Sequence, residues 1–504
     1  MQKQKRKISE NEIELKKYVL EIIVFICGAV VMIFELTGSR ILAPYLGTSI
    51  FVWASLIGVI LGSLSFGYWY GGKIADKKPN LKTFSMIIFF AAILLGFTTL
   101  IKDSVLNILL ESLHKSSVDI RWSSLIVVII LFAFPSALLG MVSPYAVKLK
   151  MKKLENTGRT VGNLYAISTV GSIIGTFLAG FVLIPLFGST KILYLLSFIL
   201  LITSIITFYR KLLIVKLILL SAIVYLNFSY KETRFIDIDT QYNRVWIHKA
   251  KDAITGKGLL IMRTGYLNSS SMFLHSDELA AEYTKYYDLA KHFKPDFQKT
   301  LMLGGAAYSY PKHYLKKYKD AEIDVVEIDP KLTELAQKYF RLKENPRLNI
   351  FHEDGRILLN TTSNKYDIFM NDAFNCYYSP PFHLTTLEAV KKVYDLLNEG
   401  GVAVINIIST INGENGKFLR AEYATYKTVF PQVYLFPVSN PDDGEMLQNV
   451  MIVALKSNEK PVFENEDPVL NEYLKHLWKE DIEIDVPILT DDYAPVDHYN
   501  SKMI

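Results

Sequence analysis

The sequence predicts a helical transmembrane bundle followed by an α/β domain with a mainly parallel sheet. Two observations carry that expectation. Residues 18–230 form a succession of apolar runs nearly free of acids, whereas 231–504 have the mixed composition of a globular domain, within a 504-residue chain that is 50% hydrophobic. In that second half, short apolar strands alternate with helical stretches and end, one after another, in glycines or acids.

The first seventeen residues are polar and basic (Lys3, Lys5, Arg6, Lys7, Lys16, Lys17), and no small-residue cleavage site follows the next apolar run, so they do not read as a cleaved signal. Runs long enough to span a bilayer lie near 18–37, 50–72, 84–101, 123–147, 160–187, 191–209 and 212–229. Lys and Arg concentrate at the N-terminus, in 73–82, in 148–159 and at Arg210/Lys211, so alternate loops are basic and read as cytoplasmic. The net charge of +5 is thereby a topology signal, with no nucleic-acid partner implied. Glu35 and Arg40 close the first run, where an interfacial ion with Arg40 snorkelling is the simpler reading than a functional pair. Gly58, Gly62 and Gly67, like Gly171, Gly175 and Gly180, are spaced for close helix packing, and Pro135, Pro144 and Pro185 should bend their spans. Cys27 and Cys376 cannot build a disulfide framework, and neither they nor the nine histidines show metal-ligand spacing.

The second half centres on Leu301-Met302-Leu303-Gly304-Gly305-Ala306-Ala307, a buried strand and tight turn with a helix entry near Pro311. A second strand, Ile323 to Ile328, ends in acids. Strand, glycine turn, helix and strand with a terminal acid make a nucleotide-binding βαβ unit: the glycines allow close backbone approach, and Glu327 can accept from ribose hydroxyls. Asp354 follows a third strand (Leu348 to Phe351), and Asp372 ends a fourth (from Tyr366). Gly304, Gly305, Glu327, Asp354 and Asp372 therefore share the carboxyl edge of one sheet, where open α/β folds bind ligands.

Leu-Gly-Gly at 303–305, Val-Val-Glu-Ile-Asp-Pro at 325–330, Glu-Asp-Gly-Arg at 353–356, Tyr-Asp-Ile-Phe-Met-Asn-Asp at 366–372 and Phe-His-Leu-Thr-Thr-Leu-Glu at 382–388 together resemble the spermidine synthase (aminopropyltransferase) family. That family is a branch of the S-adenosylmethionine-dependent methyltransferase superfamily. The resemblance covers roughly 235–455, and the apolar half ahead of it looks like that of membrane-fused spermidine-synthase-like proteins. It implies a Rossmann-like, methyltransferase-type domain at 299–456, preceded at 231–298 by a small β-structure and gate helix, and followed by a tail at 457–504. The implied substrate is S-adenosylmethionine or its decarboxylated form, without a metal, in an aminopropyl transfer that releases methylthioadenosine. The implied roles are Asp372 as general base or amine anchor, Glu327 on ribose, Asp354 with Gly355 at the adenine amine, and Gly304 and Gly305 at the nucleoside. Gln241 of the β-structure, Tyr283 of a gate helix running Ser276 to Tyr287, Tyr308, Asn375 and Tyr377 are the implied substrate contacts. The acidic motif Thr490-Asp491-Asp492-Tyr493 in the tail also has a family counterpart, without assigned chemistry.

Two departures matter. The family's Gly-Gly-Gly-Asp-Gly is here Gly304-Gly305-Ala306-Ala307-Tyr308, lacking the acid, and Asn375 stands where the family has a second acid after the fourth strand. Losing an acid near the donor's tail favours a donor that keeps its carboxylate. Tyr308, Tyr310, Tyr377 and Tyr378 offer faces to a sulfonium. Methyl transfer from intact S-adenosylmethionine, or its lyase-type cleavage, is therefore the alternative reaction. A nucleoside-sensing transporter or receptor without turnover is the alternative from another class. Substrate supply argues for a multi-pass protein of the cell membrane with its catalytic domain in the cytoplasm. Seven crossings would contradict that placement, unless 212–229, interrupted by Lys216, stays on one side or 102–122 hides another crossing. The expected partners are a polyamine-type small molecule and the lipid bilayer, with a homodimer left open.

Overall fold

The computed structural model describes residues 2–116, 119–151, 157–207, 213–229, 236–265, 268–374 and 379–501. The chain divides into two compact units, Met1–Thr233 and Arg234–Ile504. In the first, six helices among the described residues are long and apolar enough to cross a membrane. They are α1 (Tyr18–Leu46), α2 (Ile50–Lys77), α3 (Leu81–Leu109), α4 (Ile120–Lys150), α5 (Thr157–Phe187) and α6 (Ser189–Thr207). A shorter helix, α7 (Leu213–Ser229, 17 residues), follows. The stretch 102–116 simply continues the helix that begins at Leu81, so no separate crossing is found there.

Glycines and hydroxyls decide how these helices pack. Gly171 and Gly175 of α5 face the backbone of α1 at Phe25 and Ala29, and Gly67 and Gly71 of α2 face Ala137 and Met141 of α4, so closely that a Cβ would collide. Gly58, Gly62 and Gly180 meet nothing, so only part of each predicted small-residue face is a packing seam. Between α3 and α6 the adhesive is polar: Ser85 Oγ donates to Ser204 O (2.8 Å), and Ser197 Oγ donates to Ala92 O (2.7 Å). Lys216 of α7 joins that seam, its Nζ 2.9 Å from Ser85 Oγ and 3.2 Å from Ser204 O. Pro135 and Pro185 each follow a widened π-helical turn, Ile129–Ala133 and Ala179–Leu183, which absorbs the ring clash and the missing N–H.

The second unit begins with a four-stranded antiparallel sheet, β1 (Ile236–Asp239), β2 (Arg244–Lys251), β3 (Gly258–Arg263) and β4 (Asn268–Phe273). Residues 240–243 turn between β1 and β2, where Thr240 Oγ1 accepts from the Tyr242 and Asn243 N–H groups. The expected gate helix is also shorter than Ser276 to Tyr287. Ser276 to Ala281 is irregular, held by a bridge between Leu279 and Met272 and by Arg341, which donates to the Phe273, Leu274 and Ser276 carbonyls. Helix starts only at Glu282 and continues through a tighter turn to Phe293.

The main sheet contains β5 (Lys299–Leu303), β6 (Glu322–Val326), β7 (Leu348–Phe351), β8 (Tyr366–Asn371), β9 (Leu397–Ser409), β10 (Gln432–Pro437) and β11 (Gln448–Leu455), in the order β10-β11-β9-β8-β5-β6-β7. Strands β5 to β9 pair in parallel, and β11 runs antiparallel to β9. This is the Rossmann-like, methyltransferase-type arrangement. Its helices are α8 (Ser309–Lys317), α9 (Pro330–Tyr339), α10 (Gly355–Thr361), α11 (Leu387–Leu396), α12 (Lys417–Val429) and α13 (Pro468–Lys475). Both faces are covered: Leu301 and Leu303 point into one core and Met302 into the other, which is why β5 reads as an unbroken apolar run. The small sheet packs Val245, Ile247 and Met262 against Leu332, Leu335 and Phe340 at α9. The first strand laid down, β5, lies centrally between β6 and β8, so the chain reverses direction there. A crevice opens at such a switch point.

Candidate active-site cleft

A cleft of about 290 Å³ opens at that point, with Gly304, Gly305, Glu327 and Asp372 in its wall together with Tyr283. The glycine turn is fixed from two sides. Gly304 N donates to Val326 O (2.9 Å), and Asp372 N donates to Leu303 O (2.8 Å). Gly304 has φ +91°, and a Cβ there would sit 2.5 Å from Asp372 O, so only glycine fits. The turn remains left-handed at Ala306 (φ +45°) and Tyr308 (φ +55°), where the resembled family has glycines.

Glu327 is the organising carboxylate of this turn. Its Oε2 accepts from Gly305 N (3.0 Å) and Ala306 N (2.9 Å), and its Oε1 accepts from Asp329 N (3.0 Å). Burial pushes its pKa up against the opposing pull of those three N–H groups. Three of its roughly four lone-pair sites are thus occupied, leaving space on Oε1 for a hydroxyl.

Asp372 directly follows β8 at the opposite side of the glycine turn. Its Oδ2 accepts from Tyr283 OH (3.1 Å) and its Oδ1 from Asn406 Nδ2 (3.0 Å), while Asn449 Nδ2 donates to Asn406 Oδ1 (2.9 Å). Burial raises the Asp372 pKa, with Asn406 and the tyrosines pulling the other way. The same burial and the facing carboxylate hold the Tyr283 phenol far above its ordinary value, so it stays a donor.

Other expected site residues lie elsewhere. Asp354 stands beside Glu327 at the end of the adjacent parallel strand, where Glu327 N donates to Phe351 O (2.9 Å), but it is not in the cleft wall. Its Oδ1 caps α10 through Arg356 N (2.8 Å) and Ile357 N (3.2 Å), and its Oδ2 lies 3.5 Å from His383 Nε2. Gly355 packs under Leu303 and Leu384. Gln241 is exposed in the turn after β1, outside the wall. Tyr308 is fully buried, its hydroxyl 2.7 Å from Thr333 Oγ1, and so belongs to the core. Ala307 is also buried, among Val245, Leu332 and Leu335, so the position that carries an acid in the resembled family does not face the cleft here. Asn375 and Tyr377, with Cys376 and Tyr378, lie outside the described residues.

The wall also contains polar groups not anticipated from sequence: Asn268, Ser269 and Ser270 of β4, Ser309 at the start of α8, and Asn406 and Asn449. Ser270 Oγ and Ser309 Oγ are 3.0 Å apart, and Ser309 Oγ donates to Ser271 O (3.0 Å). The signal for the asparagines was an amide interrupting an apolar strand: Asn406 sits within Val402 to Ile407, and Asn449 precedes Val450 to Leu455. The tail motif also acquires a place. Asp491 accepts from Arg356 (2.6 and 3.1 Å) and Thr386 Oγ1 (2.6 Å), and its N–H donates to Glu388 (2.9 Å), pinning the tail across the starts of α10 and α11.

Residues 282–466 match the spermine/spermidine synthase domain. The polyamine aminopropyltransferase of Vibrio vulnificus is 30% identical over 162 residues, covering 32% of this chain and 52% of that protein. The polyamine aminopropyltransferase 2 of Aquifex aeolicus is 23% identical over 409 residues, 76% of this chain and 78% of that protein, which is more than the C-terminal unit alone contains. A crystal structure of a probable spermidine synthase from Corynebacterium glutamicum aligns with a TM-score of 0.40 and 20% identity, over 46% of this chain and 83% of that one. The chain spans about half the length of the first curated relatives it matches, 52% in each case. By sequence, the half of the chain that holds the cleft resembles the spermidine synthase family, with residues 282–466 carrying the domain match.

Proposed function

We propose that this protein is a membrane-bound transferase that binds a nucleoside sulfonium, S-adenosylmethionine or its decarboxylated form, and passes the aminopropyl group of the decarboxylated form to an amine. The observation that carries the reading is the pairing, in one cleft, of a glycine turn braced by Glu327 with a half-buried Asp372 held by Tyr283 and Asn406. The remaining lone-pair position on Glu327 Oε1, which otherwise accepts from Asp329 N, suits a ribose hydroxyl, and the close-approach backbone at Gly304 suits a nucleoside. Asp372 suits the reacting amine: the amine nitrogen attacks the aminopropyl carbon bonded to sulfur, a C–N bond forms and that carbon's C–S bond breaks. The electron pair stays on sulfur, giving neutral methylthioadenosine. The proton leaving nitrogen goes to Asp372, whose raised pKa brings it nearer to working pH. Tyr283 and Asn406 keep the carboxylate aimed.

A second reaction draws support from the donor-tail end. Asn268, Ser270 and Ser309, which line the wall between β4 and α8, are neutral. An intact donor carboxylate would meet no like charge there, which favours methyl transfer or cleavage of S-adenosylmethionine. Mass spectrometry of the purified protein with each donor, with and without 1,4-diaminobutane, separates these reactions. Methylthioadenosine plus a longer polyamine supports aminopropyl transfer. Methylthioadenosine without an acceptor supports cleavage, and S-adenosylhomocysteine supports methylation. Nucleoside binding with no product from either donor would overturn the enzymatic reading in favour of a sensor.

For location, we read α1 to α6 as six crossings of the cell membrane, an even number that returns the chain to the side of its basic N-terminus. Residues 234–504 then lie in the cytoplasm. Protease resistance of this region in sealed inside-out vesicles would contradict that placement.

A further inference from the structure

The acceptor arm of the cleft differs in chemistry from its nucleoside arm. Moving along the sheet edge from β8 to β9 to β11, the wall passes from Asp372 to the carboxamides of Asn406 and Asn449, with Phe374 and Ile408 beside them. Asp372 and Glu327 are the carboxylates in the described wall, and Glu327 lies in the other direction, beyond β5 on β6. Within 373–387, which follows Asp372 in sequence, there is no acid at all. The two amides are oriented as a relay, with Asn449 donating to Asn406 (2.9 Å) and Asn406 to Asp372 (3.0 Å). That direction leaves one N–H on Asn406, and one N–H and the carbonyl oxygen of Asn449, without a partner among the described residues.

We propose that this arm is an acceptor subsite for a molecule with a single amino group and an uncharged, hydrogen-bonding far end, such as an amino alcohol, in preference to a diamine. The proposal deepens the aminopropyl-transfer reading and rests on it. The reacting amine meets Asp372, the one carboxylate of this arm among the described wall residues. The far end meets Asn406 and Asn449, whose donors and acceptor match a hydroxyl, which both gives and takes a hydrogen bond. A far-end ammonium would be stripped of water beside amides, Phe374 and Ile408 with no counter-charge, which disfavours it. Specificity thus arises because this arm offers a second cation amide oxygen but no carboxylate among the described wall residues.

The experiment uses the full-length protein in detergent and has two arms. Calorimetry with methylthioadenosine tests the nucleoside cleft alone, and absence of binding would remove the underlying reading. Given binding, kcat/KM is measured with the decarboxylated donor for 4-aminobutan-1-ol and for 1,4-diaminobutane. The wild-type protein should favour the amino alcohol by about tenfold or more, and Asn449→Asp should shift the ratio toward the diamine by a similar factor. The proposal is overturned if wild type prefers the diamine, if neither amine is consumed although methylthioadenosine binds, or if folded Asn449→Asp leaves the ratio unchanged. Should Asn449→Asp not fold, the wild-type ratio decides.

Discussion

Replacing Glu327 by alanine tests the nucleoside cleft most directly, because one side chain holds the turn that shapes it. The substitution removes acceptors from Gly305 N, Ala306 N and Asp329 N, all bonded at 2.9 to 3.0 Å to a carboxylate that is 5% exposed. A hydrogen bond to a charged acceptor contributes about 1.5–3 kcal/mol, and each buried donor left without a partner costs about 1–3 kcal/mol. These effects overlap, because water entering the vacated space re-satisfies some donors, and the charge removed was itself costly to bury. A net loss of about 3–4 kcal/mol in the ordered cleft follows, expressed as a two- to three-decade rise in Kd at about 1.4 kcal/mol per tenfold. Calorimetry with methylthioadenosine on the full-length protein is the assay. Glu327→Gln keeps the shape and most of the volume but presents one N–H₂ to backbone donors, so an intermediate loss is expected. An unchanged Kd in Glu327→Ala, with the protein still folded, would refute both the bracing of the turn and its place in binding.

Three further outcomes are expected. Gly304→Ala should abolish methylthioadenosine binding by calorimetry, since it combines a left-handed φ with a Cβ 2.5 Å from Asp372 O, whereas Ala306→Gly should be neutral or stabilise by up to about 1 kcal/mol in thermal melts. Glu422 of α12 is fully buried with neither carboxylate oxygen bonded among the described residues, and burial holds its pKa well above the usual range. The folded state therefore keeps a proton that the unfolded chain has released, so stability falls as pH rises above the ordinary carboxyl pKa, by about 1.4 kcal/mol per pH unit within that window. Melts of Glu422→Gln across that range should be flatter than wild type. Asp485, gripped by Arg420 (2.7 Å to both oxygens), behaves in the opposite sense: the Arg420 contact lowers its pKa, so its contribution is present above the ordinary carboxyl pKa and is lost as pH falls through the folded value. Asp485→Asn should accordingly lower the melting temperature at neutral pH and narrow its gap to wild type in acid.

How far the sequence revealed this arrangement depends on how local each signal was. The apolar strands and the glycine turn were legible because both faces of the main sheet are buried, so Leu301 to Leu303 had to be apolar throughout. The residues grouped at the strand tips, Gly304, Gly305, Glu327 and Asp372, were equally legible, since chain direction alone brings them to one edge. Legibility failed where a side chain's direction is set by distant packing. Tyr308 reads as a ligand face, yet a left-handed backbone turns its ring toward Thr333. Asn406 and Asn449 become neighbours only because β11 inserts beside β9 from more than forty residues away. The irregular stretch from Ser276 to Ala281 has helical composition but is held open by Arg341, another contact invisible to local propensity.

The glycine seams of the N-terminal unit carry a mechanical implication. Where Gly171 and Gly175 let α5 rest on the bare backbone of α1, and Gly67 and Gly71 let α2 rest on α4, neither helix of a pair can slide or roll without driving atoms into each other. Each pair is therefore a stiff plank. Relative displacement inside this unit falls instead to the α3–α6 seam outside both planks, where the Ser85–Ser204 and Ser197–Ala92 contacts can be exchanged rather than crushed.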